Sequence, residues 1–162
     1  MRCKDSSRVN KLLATVFVVL CHLPIWSCGH GQTALPELRK QSQTLAQQAG
    51  NRALSAEGRL RIAHELFEHR LTYESIIRQP SAPAKEQKTA RALQRSDADA
   101  AGAAMHAIAE EHLVNGETEK ARAIYYSVLT MFADDDYASI RKAAESRLQD
   151  LDDKEKRKKA LR

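Results

Sequence analysis

The chain lacks cysteine after residue 28. Its three cysteines, Cys3, Cys21 and Cys28, all fall in the first 28 of 162 residues. A disulfide framework needs cysteine pairs spread through the fold, and a thiolate metal centre needs several thiols close together. The absence of cysteine after residue 28 therefore excludes three features from that part of the chain: a disulfide scaffold, a site built on several thiolates and a cysteine nucleophile.

Glycine and proline are also scarce. The only ones after residue 36 are Gly50, Gly58, Gly102, Gly116, Pro80 and Pro83. No stretch alternates apolar and polar residues at a period of two with β-branched side chains, which is the pattern of a half-buried strand. These two absences predict an all-α fold in which a few breaks separate long helices.

The common catalytic signatures are missing as well. The sequence contains no G-x-S-x-G, no phosphate-binding loop and no G-x-G-x-x-G, so none of the backbone cradles or activated serines behind these motifs is present. The sequence thus offers no catalytic residue and no cofactor-binding residue. We do not expect an enzyme, and no small-molecule ligand can be identified.

The net charge of +5 is unevenly distributed. Residues 1–28 contain four basic residues and one acid, whereas the remainder contains 22 basic and 20 acidic residues. A nearly balanced domain lacks the concentrated positive field that binding to nucleic-acid phosphates requires. Nucleic acid is therefore not expected as a partner.

The first 28 residues have the layout of an export signal. Residues 1–11 carry Arg2, Lys4, Arg8 and Lys11, and the apolar run LLATVFVVL follows at residues 12–20. A basic head before a short apolar core is typical of a secretory signal peptide. The run falls well short of the ~20 residues that a transmembrane helix needs. A retained signal anchor is the alternative interpretation of this segment.

The end of this segment is Ile25-Trp26-Ser27-Cys28. It resembles the lipobox of bacterial lipoprotein precursors, in which a small residue precedes the cysteine that becomes lipidated. The resemblance implies a signal peptide over residues 1–28, lipid on Cys28 and a membrane anchor in the cell envelope. Gly29 is not acidic, which favours the outer membrane, facing the periplasm. The alternative is ordinary cleavage, for example after Gly29, which would give a soluble secreted or periplasmic protein.

Four strong helical patterns and one weak pattern follow. Residues 29–54 are expected to hold a tether and a weak first helix over 37–49, and residues 55–152 a helical domain. Within that domain the helices are predicted over 55–78, over 84–114, from Ala121 to Phe132, and from Tyr137 onward, with Asp134–Asp136 as the cap of the last one. The charged tail 153–162 is expected to fray.

Residues 105–133 combine Met105, Ile108 and Ala109, then the turn Asn115-Gly116, then Ala121-x3-Tyr125. This segment resembles one degenerate tetratricopeptide repeat, a pair of antiparallel helices. His112 stands where the repeat has an aromatic residue, and Ala133 replaces its final proline. The resemblance implies a helical module that binds a protein partner, as a scaffold or adaptor. A small helical bundle is the alternative fold.

A similar spacing, Gly58-x4-Ala63-x3-Phe67, occurs 58 residues earlier. The residues before it do not fit the pattern of a partner helix, so we attribute this spacing to chance. Within the repeat-like hairpin we expect Tyr125 and Phe132 to be buried, with Ile108 and Leu129 beside them.

Three histidines and one glutamate suggest an alternative function. His64, Glu68, His106 and His112 are candidate ligands or catalytic groups of a periplasmic enzyme or metal-binding helical protein. Neither H-E-x-x-H nor its reverse is complete at residues 64–69. His64 and His69 lie ~140° apart on a helix and cannot share one ion. We therefore expect no metal site, and the binding of a protein partner is the preferred function.

Overall fold

The structure of this protein is a computed structural model that describes residues 31–161. The predicted signal peptide and Cys28 lie outside the described residues. The described part contains five α-helices and one short 3-10 helix, and no residue of it lies in a strand, which confirms the all-α prediction. The helices are α1 (Gly31–Ala49), α2 (Ala56–Ile77), α3 (Ala84–Val114), α4 (Thr118–Met131) and α5 (Ala138–Ala160). None of these helices is long and apolar enough to cross a membrane.

Two helix boundaries have the local chemistry that is typical of helix ends. Ser55 caps α2, because its side-chain oxygen accepts a hydrogen bond from the backbone N–H of Gly58 at 3.1 Å. At the end of α3, Gly116 adopts a φ of 76°, which suits glycine. The N–H of Glu117 then donates to the carbonyl of His112, and the N–H of Gly116 donates to that of Leu113. These two bonds form the Schellman motif that stops the helix.

Three expectations about helix ends are wrong. The tether predicted up to Pro36 is helical from Gly31, with Pro36 inside α1, where it removes a single backbone donor. The charged tail does not fray at residue 153, since α5 continues to Ala160. Asp134–Asp136 do not cap α5 with a side chain. They form the 3-10 helix Asp135–Tyr137 instead.

Arg141 stabilises that turn in place of an aspartate cap. Its guanidinium donates hydrogen bonds to the backbone carbonyls of Phe132, Ala133 and Asp134. These carbonyls follow the end of α4, and that of Asp134 also accepts a hydrogen bond from the backbone N–H of Tyr137. Arg141 also pairs with the carboxylate of Asp135 at 3.5 Å, so a cation on α5 links the chain reversal between α4 and α5 to the acidic run in the turn.

The main hydrophobic cluster joins α2, α3, α4 and α5. Tyr125, Phe132 and Ile108 are fully buried, as predicted, and Leu129 packs against them half-buried. Phe67 on α2 packs against Phe132 with ring centroids 4.5 Å apart, and Tyr137 packs edge-on to both rings. The other residues quoted for the repeat-like hairpin, Met105, Ala109 and Ala121, are also fully buried.

A second, smaller cluster lies at the other end of α2. It contains Leu35 of α1, Tyr73 of α2 and Ala90 of α3. The sequence pattern predicts Leu71 on the core side of α2, but its side chain is half exposed and Tyr73 is fully buried instead. The buried side of α2 changes along the helix because Phe67 meets the end of α4, whereas Tyr73 lies between α1 and α3.

The helices contact one another in a regular order. Each helix packs against the next, and in addition α1 contacts α3 and α3 contacts α5. The helix α1 therefore packs against α2. It is the partner helix of Ala63 and Phe67 that the residues before Gly58 do not predict. Both hydrophobic clusters lie within the compact unit formed by residues 31–162.

Candidate functional site

Four polar side chains from three helices meet beside the smaller hydrophobic cluster. Ser42 comes from α1, His69 and Tyr73 from α2, and Asp97 from α3. Ser42, Tyr73 and Asp97 are each less than a tenth exposed. Burial of this many polar atoms costs free energy unless they bond to one another. The four residues form the polar cluster of this protein.

The distances within the polar cluster define its hydrogen bonds. The hydroxyls of Ser42 and Tyr73 both donate to Oδ2 of Asp97, at 2.6 and 2.9 Å. The hydroxyl oxygen of Ser42 also lies 3.0 Å from Nδ1 of His69 and 2.9 Å from the hydroxyl of Tyr73. When Nδ1 carries the proton, His69 donates to Ser42, so both hydroxyl oxygens and Oδ2 of Asp97 have a partner.

This arrangement is not that of a hydrolytic triad. In a triad the histidine stands between serine and aspartate and bonds to them through different ring nitrogens. Here Ser42 bonds directly to Asp97, and the same Nδ1 of His69 lies 3.0 Å from Ser42 and 3.8 Å from Asp97. The serine oxygen is surrounded by its partners. The polar cluster therefore joins three helices and does not hold a free nucleophile.

Burial changes the acid–base properties of the polar cluster. It raises the pKa of Asp97 above its usual range, and the hydrogen bonds from Ser42 and Tyr73 and the nearness of His69 offset part of that effect. Burial also raises the pKa of Tyr73 to about 12. Tyr73 thus stays protonated at neutral pH, and Asp97 ionises at the cost of its desolvation.

Replacement of Asp97 by asparagine should change how stability depends on pH. Because the folded-state pKa of Asp97 is raised, the folded protein holds this proton more tightly than the unfolded chain. Stability should therefore fall as the pH rises from 3.8, the ordinary aspartate value, through the raised pKa, and stay lower above it. The amide oxygen of the substituted side chain still accepts hydrogen bonds, but the amide cannot titrate.

Urea unfolding, monitored by circular dichroism at a series of pH values from 3.5 to 8, measures this effect. The free energy of unfolding of the wild type should fall with rising pH relative to that of Asp97→Asn. Asp99→Asn, an exposed change two residues along α3, is the matched control. If the wild type and Asp97→Asn follow parallel curves over the whole range, Asp97 does not titrate in the way described.

Two clefts open on either side of Ser42. One, of about 180 Å³, lies between α1 and α3 and is lined by Arg39, Ser42, Gln43, Ala46, Leu93, Ser96, Asp97 and Ala100. The other, of about 320 Å³, lies between α1 and α2 and reaches His69. Polar residues therefore reach the surface on both sides of α1, although Ser42 itself is buried.

The structure does not bring the four predicted metal-site residues together. Glu68 is exposed on α2. His112, in the last turn of α3, pairs with Glu117 in the turn that follows, with 2.6 Å between Nδ1 and Oε2. His106 packs against the ring of Tyr125, with centroids 5.3 Å apart. The Nε2 atoms of His64 and His106 are buried without a hydrogen-bond partner. Within residues 31–161 no group of three or more His, Cys, Asp or Glu side chains could hold a metal ion.

Sequence reasoning misses the polar cluster. Ser42 and Asp97 are 55 residues apart, and each stands among other polar residues that face solvent. One weak signal exists, because the small residues that follow Asp97 mark a stretch of α3 that packs closely. That signal predicts burial nearby but does not identify which polar residue is buried.

No protein-family model, curated protein or solved structure matches this chain.

Proposed function

We propose that this protein is an exported, lipid-anchored helical module that binds a protein partner, as the resemblance to a tetratricopeptide repeat implies. In this proposal residues 1–28 are the signal peptide, Cys28 carries the lipid, and the helical domain faces the periplasm from the outer membrane. The basic head and apolar run of the signal and the lipobox-like end support export and anchoring. The packing of α1–α5 supports the binding of a partner.

The order of the helix contacts is the observation that carries the proposal. Stacked helical hairpins place each first helix against the first helix of the next hairpin, and one side of the stack then becomes an extended binding surface. Here α1 contacts α3 and α3 contacts α5, in addition to the contacts between successive helices. This order is the one expected for two hairpins followed by a closing helix.

The exposed side of α3 is the surface we assign to the partner. Ser96, Ala103 and Ala107 are exposed there, four or seven residues apart, which is helical spacing for one side. On one flank Ala100 lines the cleft with α1, and on the other Gly102 lies against Ile140 of α5. Small side chains between two flanking helices allow the helix or extended peptide of a partner to approach closely.

Site-specific photo-crosslinking in intact cell envelopes tests this assignment. A photoreactive residue at Ala103 or Ala107 should give a discrete adduct with one partner protein. The same residue at Glu68 of α2 or Thr130 of α4, both exposed, should not. Adducts at the control positions in equal yield, or no adduct at Ala103 and Ala107, would remove α3 as the binding surface.

Metabolic labelling with palmitate tests the anchor. The wild-type chain and Cys21→Ser should be labelled equally, because Leu20 precedes Cys21 and a small residue is expected there. Cys28→Ser should lose essentially all of the label. Equal labelling of Cys28→Ser and the wild type would end the lipoprotein proposal, whatever the result of crosslinking.

A further inference from the structure

Four basic residues occupy the first half of α3. Lys85, Lys88, Arg91 and Arg95 are all exposed, and they recur every three or four residues over a length of about 15 Å. Among the residues that the structure describes, none of the four has a carboxylate within 4.0 Å. We refer to these four residues as the basic patch. Asp136 lines one cleft together with Arg91 and Arg95 but pairs with neither of them, so within residues 31–161 the patch remains a cationic surface with one carboxylate nearby.

The fold brings the start of α1 to the end of the domain that carries the basic patch. Leu35, in the second turn of α1, belongs to the small hydrophobic cluster with Tyr73 near the end of α2 and Ala90 on α3. The turn between α2 and α3 is held by Gln87, whose amide donates to the carbonyls of Gln79 and Ala82. The start of α1 and the basic patch therefore share one end of the molecule.

Chain connectivity relates this end to the anchor. Only Gly29 and His30 separate Cys28 from Gly31, the first residue of α1. An extended chain spans at most ~3.6 Å per residue, so a lipid on Cys28 would hold the start of α1 within about 11 Å of the membrane surface. This step rests on the proposed lipid anchor, whereas the charge of the patch does not.

We propose that the basic patch binds anionic phospholipid headgroups and thereby orients the anchored domain. Basic side chains near an anionic bilayer are attracted to it within about a Debye length, ~10 Å at 0.1 M salt. Because the patch follows one side of α3 over about 15 Å, all four residues reach the headgroups together only when the first half of α3 lies along the bilayer surface. Ala103 and Ala107 lie in the second half of α3, beyond the patch.

The last turns of α5 are the competing basic surface. Lys154, Lys156, Arg157, Lys158 and Lys159 are exposed there. This region lies beside the start of α4, since Arg122 pairs with Asp152 and Glu155. The start of α4 follows the end of α3, so the tail lies near the opposite end of a 31-residue helix, about 30–45 Å along the helix from the patch. Two of its lysines also pair within the tail, Lys156 with Asp153 and Lys159 with Glu155.

Vesicle co-sedimentation tests the proposal without the lipid. A polypeptide of residues 29–162 keeps both hydrophobic clusters, which lie within the unit of residues 31–162. It should sediment with phosphatidylcholine vesicles that contain 30% phosphatidylglycerol at 0.1 M NaCl. It should not sediment with pure phosphatidylcholine vesicles, and 1 M NaCl should release it, because the Debye length falls to ~3 Å.

A matched pair of variants locates the binding surface. K85Q/K88Q/R91Q/R95Q and K156Q/R157Q/K158Q/K159Q each remove four positive charges from exposed helical positions, where Gln is a good helix former. Each basic residue strengthens binding to an anionic surface by about fivefold, so the first variant should bind at least about 100-fold more weakly. The second should stay within about fivefold of the wild type.

Three results would overturn the proposal. They are no binding of the wild-type polypeptide to the anionic vesicles, equal losses in the two variants, or a larger loss in the tail variant. Circular dichroism confirms that the variants are folded. Because the polypeptide carries no lipid, these results do not depend on the palmitate labelling of Cys28, and failure of one proposal can be distinguished from failure of the other.

Discussion

Phe132→Ala should lower the free energy of unfolding by about 3–5 kcal/mol, the usual range for removal of a buried aromatic ring. Phe132 is fully buried, and its ring contacts Phe67 of α2 and Tyr137 of the 3-10 helix. The ring joins α2 to the point where the chain passes from α4 to α5. Its loss leaves a cavity and removes two aromatic pairs together.

Urea unfolding of residues 29–162, monitored by circular dichroism, measures this change. Tyr126→Ala on α4 is the matched control, because Tyr126 is half exposed and its loss should cost less than about 0.5 kcal/mol. Leu129→Ala should lie between them, at about 2 kcal/mol, since Leu129 is half-buried. A loss below about 1 kcal/mol for Phe132→Ala would mean that the aromatic cluster does not support the fold.

Gly102→Val should destabilise the protein by about 2–3 kcal/mol through overpacking. Gly102 stands where α3 crosses α5, and a Cβ atom added to it would lie 2.7 Å from Cγ2 of Ile140, with two further Ile140 atoms within 3.4 Å. Real Cβ atoms do not approach other carbons this closely. The gain in helix propensity on replacement of glycine is at most ~1 kcal/mol, so overpacking should dominate.

A second substitution at the crossing separates overpacking from other effects. Gly102→Val combined with Ile140→Ala should recover part of the lost stability, because the clashing side chain is removed. Ala103→Val, at the neighbouring exposed position of α3, should be nearly neutral. If the double variant is less stable than the sum of the two single changes predicts, the valine at residue 102 does not clash with Ile140.

The sequence by itself determined the helices and most of their boundaries. Ser55 and Gly116 mark helix ends through local chemistry, a side-chain cap and a positive φ, which act over a few residues and can be identified without the rest of the fold. The periodicity of α4 likewise predicted the burial of Tyr125 and Phe132. These properties depend on neighbours in the chain, so a single sequence reveals them.

The burial of a residue was less predictable where it depends on how two or more helices pack. Leu71 and Tyr73 are both apolar candidates on α2, and only the placement of α1 and α3 decides that Tyr73 is buried and Leu71 is exposed. The start of α1 was missed for a similar reason. Its thin apolar content does not predict a stable helix, but packing against α2 and α3 stabilises it.

The tertiary structure alone assembled the polar cluster and brought the start of α1 to the same end of the domain as the basic patch. Ser42, His69, Tyr73 and Asp97 come from three helices, and hydrogen bonds at 2.6 to 3.0 Å need a packing geometry that no spacing in the chain encodes. The helical spacing of the basic patch within α3 can be read from the sequence, but its position beside the start of α1 depends on the packing of α1, α2 and α3. Charges add along the chain irrespective of position, whereas an electrostatic surface depends on which of them the fold places together.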